Sequence, residues 1–231
     1  MKLTFKKGLV HGLPICLGYL SVSFGFGISA VASGLSVLEA TLISATNLTS
    51  AGQAAGIEII AAAGGYIEMA LTQLIINLRY ALMGISLSQK IDKAYSVPAR
   101  MVTSFGITDE IFAVAYSQTG QITSLYMLGM ILISCLGWTG GTLLGAVAGT
   151  VLPVIITGAL GIMLYAMFIA IVVPVAKEDK KVLAAVFIAI ALSVIFKYLL
   201  PFVSAGFAII ICAVVASLLA ALIFPIKEEE E

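Results

Sequence analysis

Charge is what this sequence has least of. Only 10% of its 231 residues are Asp, Glu, Lys or Arg, against about 25% in an ordinary soluble domain. So few charges cannot clothe a water-facing surface, which excludes a chain built from soluble domains. The formal net charge is zero, so the basic field that nucleic-acid binding needs is missing too. Histidine occurs once, as His11, and the three cysteines, Cys16, Cys135 and Cys212, lie far apart in apolar sequence. That pattern excludes a disulfide framework and offers no metal-ligand spacing. A phosphate-cradling loop, a serine–histidine set and a paired-aspartate signature are all absent. Neither an enzyme nor a cofactor is expected, and energy for any work must come from an ion gradient or another chain.

Apolar residues, by contrast, make up 61% of the chain. A bilayer-crossing helix takes roughly 20 of them, so the length accommodates about six to eight crossings with short loops. The charges fall into groups: Lys2, Lys6 and Lys7, then Lys90 to Arg100, then Lys177 to Lys181, and finally Glu228 to Glu231. The chain reads as one transmembrane domain over 1–231, with 1–11 as a cytoplasmic N-terminus and 227–231 as a solvated acidic tail. The first apolar run carries Pro14, Gly18, Gly25 and Gly27 and is followed by many more. It therefore reads as a transmembrane helix and not as a cleaved signal. Asn47-Leu48-Thr49 matches a glycosylation sequon, but it lies within apolar sequence.

Full spans are expected over Leu13 to Ala32, Tyr66 to Ser88, Gln121 to Ala148, Val151 to Val175, Val182 to Leu200 and Phe202 to Pro225. Between them lie two interrupted regions. Leu35 to Gly65 breaks at Thr46 to Gln53, ahead of a half-helix from Ala54, and Met101 to Gly120 breaks around Gly106 to Glu110. Backbone in hydrocarbon must satisfy its own hydrogen bonds, so such breaks are shielded by protein or line a cavity. The fold class is an all-α polytopic membrane protein of about six full spans plus two interrupted or re-entrant segments, seven to eight hydrophobic segments in all. The bias of Lys and Arg toward the cytoplasm puts both termini and both basic loops on that side of the cell membrane. The count closes only if both broken regions are re-entrant, the first from outside and the second from inside. Secondary transporters with inverted repeats build a midplane site in this way.

Ionisable groups at membrane depth are costly and are paired or functional. Along 66–88, Glu68, Thr72 and Arg79 share one stripe, while Gln73, Asn77 and Tyr80 share another on roughly the opposite side. Two polar sides predict a helix surrounded by protein. Arg79 is a permanent ion pair with Glu68, Asp109 or Glu110, or a clamp for a substrate carboxylate, or half of a gating pair. Asn47, Thr49, Ser50, Gly52 and Gln53 either cap a turn or present a half-helix N-terminus to an anion. Thr108-Asp109-Glu110 is a helix start, a proton carrier or a holder of an ammonium group. Gly137, Gly141, Gly145 and Gly149 recur every four residues and give one helix a smooth face for close packing, with sliding during transport as an alternative. A secondary transporter for a small aliphatic zwitterion accounts for these features. A proton- or ion-conducting channel is the competing reading; it needs a continuous polar stripe where the sequence has isolated clusters.

Several stretches together resemble the AzlC-type branched-chain amino acid permeases. They are Gly12-Leu13-Pro14-Ile15 through Phe24-Gly25, Thr49-Ser50-Ala51-Gly52-Gln53, Asn77-Leu78-Arg79-Tyr80-Ala81-Leu82-Met83 with Ser86-Leu87, Thr108-Asp109-Glu110-Ile111-Phe112-Ala113, and Trp138 with Gly141-Thr142-Leu143-Leu144-Gly145. The resemblance runs along nearly the whole chain. The family commonly reads Phe-Ala-Gly or similar before the glutamine, and Thr49-Ser50-Ala51-Gly52 departs from it at the first positions. The resemblance implies export of branched-chain amino acids driven by the proton gradient, together with a small, separately encoded membrane subunit of the AzlD type.

Overall fold

A computed structural model describes residues 3–153, 155, 156, 166, 169 and 172–225. The expected acidic tail at 227–231 lies outside the described residues, as does most of the expected span from Val151 to Val175. The described helices are α1 (Phe5–Ala32), α2 (Val37–Thr46), α3 (Ser50–Ala61), α4 (Tyr66–Ser88), α5 (Val97–Ser104), α6 (Asp109–Tyr116), α7 (Ser124–Val151), α8 (Lys180–Leu199) and α9 (Ala205–Ile223). Five of them, α1, α4, α7, α8 and α9, are long and apolar enough to cross a bilayer. The all-α polytopic fold expected from composition is what the chain adopts.

The helix starts follow from local chemistry. Thr4, Ser36, Ser96, Thr108, Thr123 and Asp179 each accept a backbone N–H from the first turn that follows, satisfying donors that a helix start leaves without partners. At Ser36 the Glu39 carboxylate also returns to the cap's own N–H, closing a capping box. Because Thr4 caps α1, that helix begins at Phe5 and not at Leu13, and so takes in most of the segment read as an N-terminal tail. At 28 residues it is about 42 Å long, more than the ~30 Å hydrocarbon layer, so its basic first turns extend beyond the lipid.

The chain forms two compact units: residues 1–54 with 77–164, and residues 55–76 with 165–231. In the first, α1 and α7 lie side by side and run in the same direction. Gly8 faces the Tyr126 carbonyl, Gly137 the Cys16 carbonyl, Gly141 the Leu20 carbonyl and Gly145 the Phe24 carbonyl, each so closely that a Cβ would overlap backbone. Gly149 sits in ordinary contact, its would-be Cβ 3.4 Å from Ile28 Cα. The glycines of both helices thus bring the two backbones together, which in lipid is how helices gain packing without a water-driven hydrophobic effect.

Polar contacts place the loops at the two ends of this pair. Thr123 Oγ1 donates to the Leu3 carbonyl at 2.6 Å, and Asp92 N–H donates to the Ile122 carbonyl at 2.9 Å. The basic loop after α4 therefore shares an end with the starts of α1 and α7. From that end α5 runs inward until Gly106 abuts Ile131 and Thr108 meets Tyr19. α6 then comes back, and the Tyr116 carbonyl receives the Lys90 ammonium. The segment is re-entrant. At the opposite end α1 turns through Gly34, with φ of 95°, and α2 heads inward. The chain reverses at 47–49, because Gln53 hydrogen-bonds Ser44 nine positions earlier, which a continuous helix would hold about 13 Å away. The two broken elements enter from opposite ends.

Two further expectations are corrected. The break after α2 is shorter than expected: Ser50, Gly52 and Gln53 belong to the first turn of α3, because Thr49 acts as its cap, accepting the Gly52 N–H. And α4 is not sheathed in protein. Ile67, Leu71, Leu74, Leu78, Leu82 and Ile85 line one exposed face at the three- and four-residue spacing of a helix stripe.

Candidate functional site

The tips of the two re-entrant segments are bridged beside α1 and α7 by Tyr19 and Trp138. Trp138 of α7 is the hinge of this bridge. Its indole N–H donates to Gln53 Oε1 at 2.8 Å, Gln53 Nε2 donates to Ser44 Oγ at 2.8 Å, and Ser44 lies 2.7 Å from Thr142 Oγ1. Thr142 gives its own proton to the Trp138 carbonyl, so Ser44 must be the donor to Thr142. The four residues close a ring of hydrogen bonds. An indole can only donate, which also fixes which end of the Gln53 amide faces it.

On the other side of Trp138, the Tyr19 ring packs edge-on, with centroids 5.3 Å apart and planes at 73°. The Tyr19 hydroxyl is 2.6 Å from both Thr108 Oγ1 and Glu110 Oε2. It has one proton, which goes to the carboxylate, while Thr108 supplies the second hydrogen bond with its own. Tyr19 and Trp138 therefore couple the start of α6 to the start of α3.

The two tips are chemically alike. Each is the N-terminus of a half-helix capped by a threonine, Thr49 for α3 and Thr108 for α6. Each threonine also binds a third element: Thr49 donates to Asn77 Oδ1 of α4 at 2.7 Å, and Thr108 holds Tyr19. Helix N-termini carry partial positive charge and outward N–H groups, so the bridged region favours an anionic group without placing a full positive charge there. The full charges lie next to it. Arg79 Nη2 is 3.0 Å from Asp109 Oδ2, with the side chains 45% and 44% exposed. Arg79 also lies over the Tyr80 ring, 5.1 Å from its centroid. Asn77 and Arg79 point about 200° apart around α4, so one side of that helix serves the first tip and another serves the second.

Not every residue singled out in the sequence converges here. Thr49, Ser50, Gly52, Gln53, Asn77, Arg79, Asp109 and Glu110 lie at the tips or on α4 beside them. Asn47 turns its amide back onto the Ile43 carbonyl at the exposed end of α2. Gln73 lies near Met69 Sδ at 3.8 Å, and Glu68 bonds Ser204 and Gly206 in the second unit. Of the open alternatives for Arg79, the partner found is Asp109. Sequence reasoning missed Tyr19 and Ser44 as site residues. The signal for Tyr19 was weak, a tyrosine in an apolar run; for Ser44 it was a serine one turn before the break.

A family model described as AzlC protein matches residues 14–152, from α1 through the end of α7. The inner membrane protein YgaZ of Escherichia coli is 32% identical over 175 residues, 72% of this chain and 71% of that protein. An uncharacterized membrane protein of Archaeoglobus fulgidus is 32% identical over 172 residues, 74% of this chain and 75% of that protein. No solved structure matches.

Proposed function

The chain belongs to the AzlC family, a family of membrane transporter-type proteins, and from that premise we propose that it exports branched-chain amino acids. Proton coupling and a small AzlD-like membrane subunit belong to the same proposal. The observation that carries the transport reading is the bridging of two opposed, threonine-capped half-helix starts beside an Arg79–Asp109 pair. A zwitterion suits such a place. Its carboxylate replaces Asp109 on the guanidinium or takes the half-helix N–H groups, its ammonium replaces Arg79 on Asp109, and no net charge enters the membrane. Direction, proton coupling and the subunit rest on the family resemblance, and the Lys and Arg bias puts the N-terminal end of α1 in the cytoplasm.

Efflux of leucine, isoleucine, valine and methionine from proteoliposomes, with and without an AzlD-like subunit, tests this reading. Gradient-driven movement of these amino acids is expected with the subunit present. If none of the four moves, the substrate assignment fails.

A further inference from the structure

In the second compact unit, Glu68 stands near the start of α4, 7% exposed. Among the described residues the one ion pair is Arg79–Asp109, so Glu68 has no cation there. Its Oε1 instead accepts the Ser204 hydroxyl at 2.5 Å and the Gly206 N–H at 3.0 Å, both at the N-terminus of α9. Ser204 makes no capping bond of its own; the Glu68 carboxylate caps α9 from another helix. One turn further along α4, the Thr72 hydroxyl is completely buried and has no hydrogen-bond partner among the described residues. It points into the same place: a Cβ built on Gly206 would lie 2.5 Å from Glu68 Oε1 and 2.9 Å from Thr72 Oγ1. Gly206 is therefore the residue that leaves room for the acid and the hydroxyl together.

We propose that Glu68, Thr72 and the N-terminus of α9 form a proton-binding site, the place where a transported or coupling proton is held. The arrangement supplies partners for both forms of the acid. As a carboxylate, Glu68 is stabilised by the α9 N–H, the Ser204 hydroxyl and the helix-end charge. When it takes a proton from water, the new O–H has Thr72 Oγ1 as an acceptor, which fills the one hydrogen bond the buried site lacks. Ser204 and Gly206 keep donating to the remaining carbonyl oxygen. A buried polar group without a partner is costly, so the idle Thr72 hydroxyl is accounted for by the second state. The charged groups of the neighbouring elements are Glu58 on α3 and Lys197 on α8. Both line a cavity of about 400 Å³ with Val203 and Ala205, and neither forms a described bond to Glu68. On the Gly64 side of the turn before α4, a Cβ built on Gly64 would lie 2.7 Å from Ile59 Cγ2 and 3.0 Å from Glu68 Oε2.

Infrared pH titration of the purified protein tests the site without any substrate. Wild type should show a buried carboxylic-acid C=O band that forms on acidification and is missing from Glu68→Gln, whose amide carbonyl can still cap α9. Thr72→Val removes the acceptor of the acid proton. Proton affinity read from that band should fall about fivefold, the worth of one neutral hydrogen bond. An unchanged spectrum in folded Glu68→Gln, or an unchanged midpoint in Thr72→Val, overturns the proposal. The coupling role, which rests on the transport reading above, has its own arm. In proteoliposomes, Glu68→Gln should retain gradient-free leucine exchange and lose leucine movement driven by a pH gradient. Driven transport that survives, or exchange that is lost together with it, overturns that role. A titrating band in a protein that moves no leucine leaves the proton site standing and removes the substrate assignment instead.

Discussion

The α1–α7 pair and the α8–α9 helices put the same kind of sequence to opposite uses. In α7, 50% of the most apolar stretch is buried, and in α8 none of it is. Yet α8 and α9 are the greasier helices, built from long runs of Ala, Val, Ile, Leu and Phe, while α1 and α7 are interrupted by Gly8, Gly12, Gly129, Gly137, Gly141 and Gly145. In water the more apolar helix would be the more buried. In a bilayer, lipid tails solvate leucine as well as protein does, so apolarity no longer drives association. What is buried is what fits closely or bonds: glycine against backbone, and the Gln53–Ser44–Thr142–Trp138 ring. In the α1–α7 pair the glycines and the polar ring are buried together with Phe26, Met127 and Met130, while the apolar side chains of α8 stay on the outside.

The sharpest way to break that contrast is to fill the glycine face. A Cβ at Gly145 would overlap the Phe24 backbone, and backbone cannot turn aside as a side chain can. Gly145→Val should destabilise the protein by about 3 kcal/mol or more, seen as loss of monodisperse protein in detergent or a collapsed melting temperature. A variant that melts like wild type would show that the pair is held by something other than close backbone contact.

Next in size is the polar ring. Trp138→Phe keeps the aromatic bulk against Tyr19 but leaves Gln53 Oε1 buried without its donor. A loss of about 1–3 kcal/mol is expected, and a thermal double-mutant cycle with Gln53→Leu should give a coupling energy above about 0.5 kcal/mol. Additive single losses would mean that the ring's members act independently.

How much of this was legible beforehand divides along the same line. The glycine spacing of α7, the cap at Thr108 and the two breaks are local patterns, readable within a few residues. The span 66–88 was bounded by Gly64-Gly65 on one side and by the Lys90 loop on the other, and it matches α4 to the residue. The bonds of Trp138 and Thr142 to the first tip and of the Tyr19 hydroxyl to the second are not legible, because they join residues 85 to 98 positions apart and no local period encodes them. The break after α2 is shorter than the expected Thr46 to Gln53, since Ser50 and Gly52 are weak helix formers that the Thr49 cap nonetheless holds in the first turn of α3. The exposed apolar face of α4 is legible in the three- and four-residue spacing of Ile67 through Ile85, which runs between the two polar stripes.

A smaller stability effect with a large functional one is expected at the Arg79–Asp109 pair. Both side chains are nearly half exposed, so either alanine variant should cost below about 1 kcal/mol while transport is lost. Exchanging the two charges, Arg79→Asp with Asp109→Arg, separates the open readings. A pair that only gates works in either orientation. One that clamps the carboxylate and ammonium of a substrate does not, because Arg79 must stay on the side of the helix that the carboxylate approaches. Restored transport in the exchanged protein would make the pair a gate.

The smallest effect expected is the most direct test of the contrast itself. Ile190 lies on α8 at 53% exposure. In a soluble protein, cutting such a side chain to alanine changes little because water already covers it; here it should change little because lipid does. Ile190→Ala should shift stability by within about 0.5 kcal/mol, measured by thermal melting of the protein in nanodiscs. Lipid refills the volume of the missing carbons, so no cavity forms and no apolar surface meets water. A loss of more than about 1 kcal/mol would require a rigid, packed neighbour around Ile190, because only a surface that cannot flow leaves a cavity behind. That outcome would move α8 from the lipid side of the comparison to the protein side. It would also point to this face as the one a second chain covers, which repeating the melt with an AzlD-like subunit absent and present would decide.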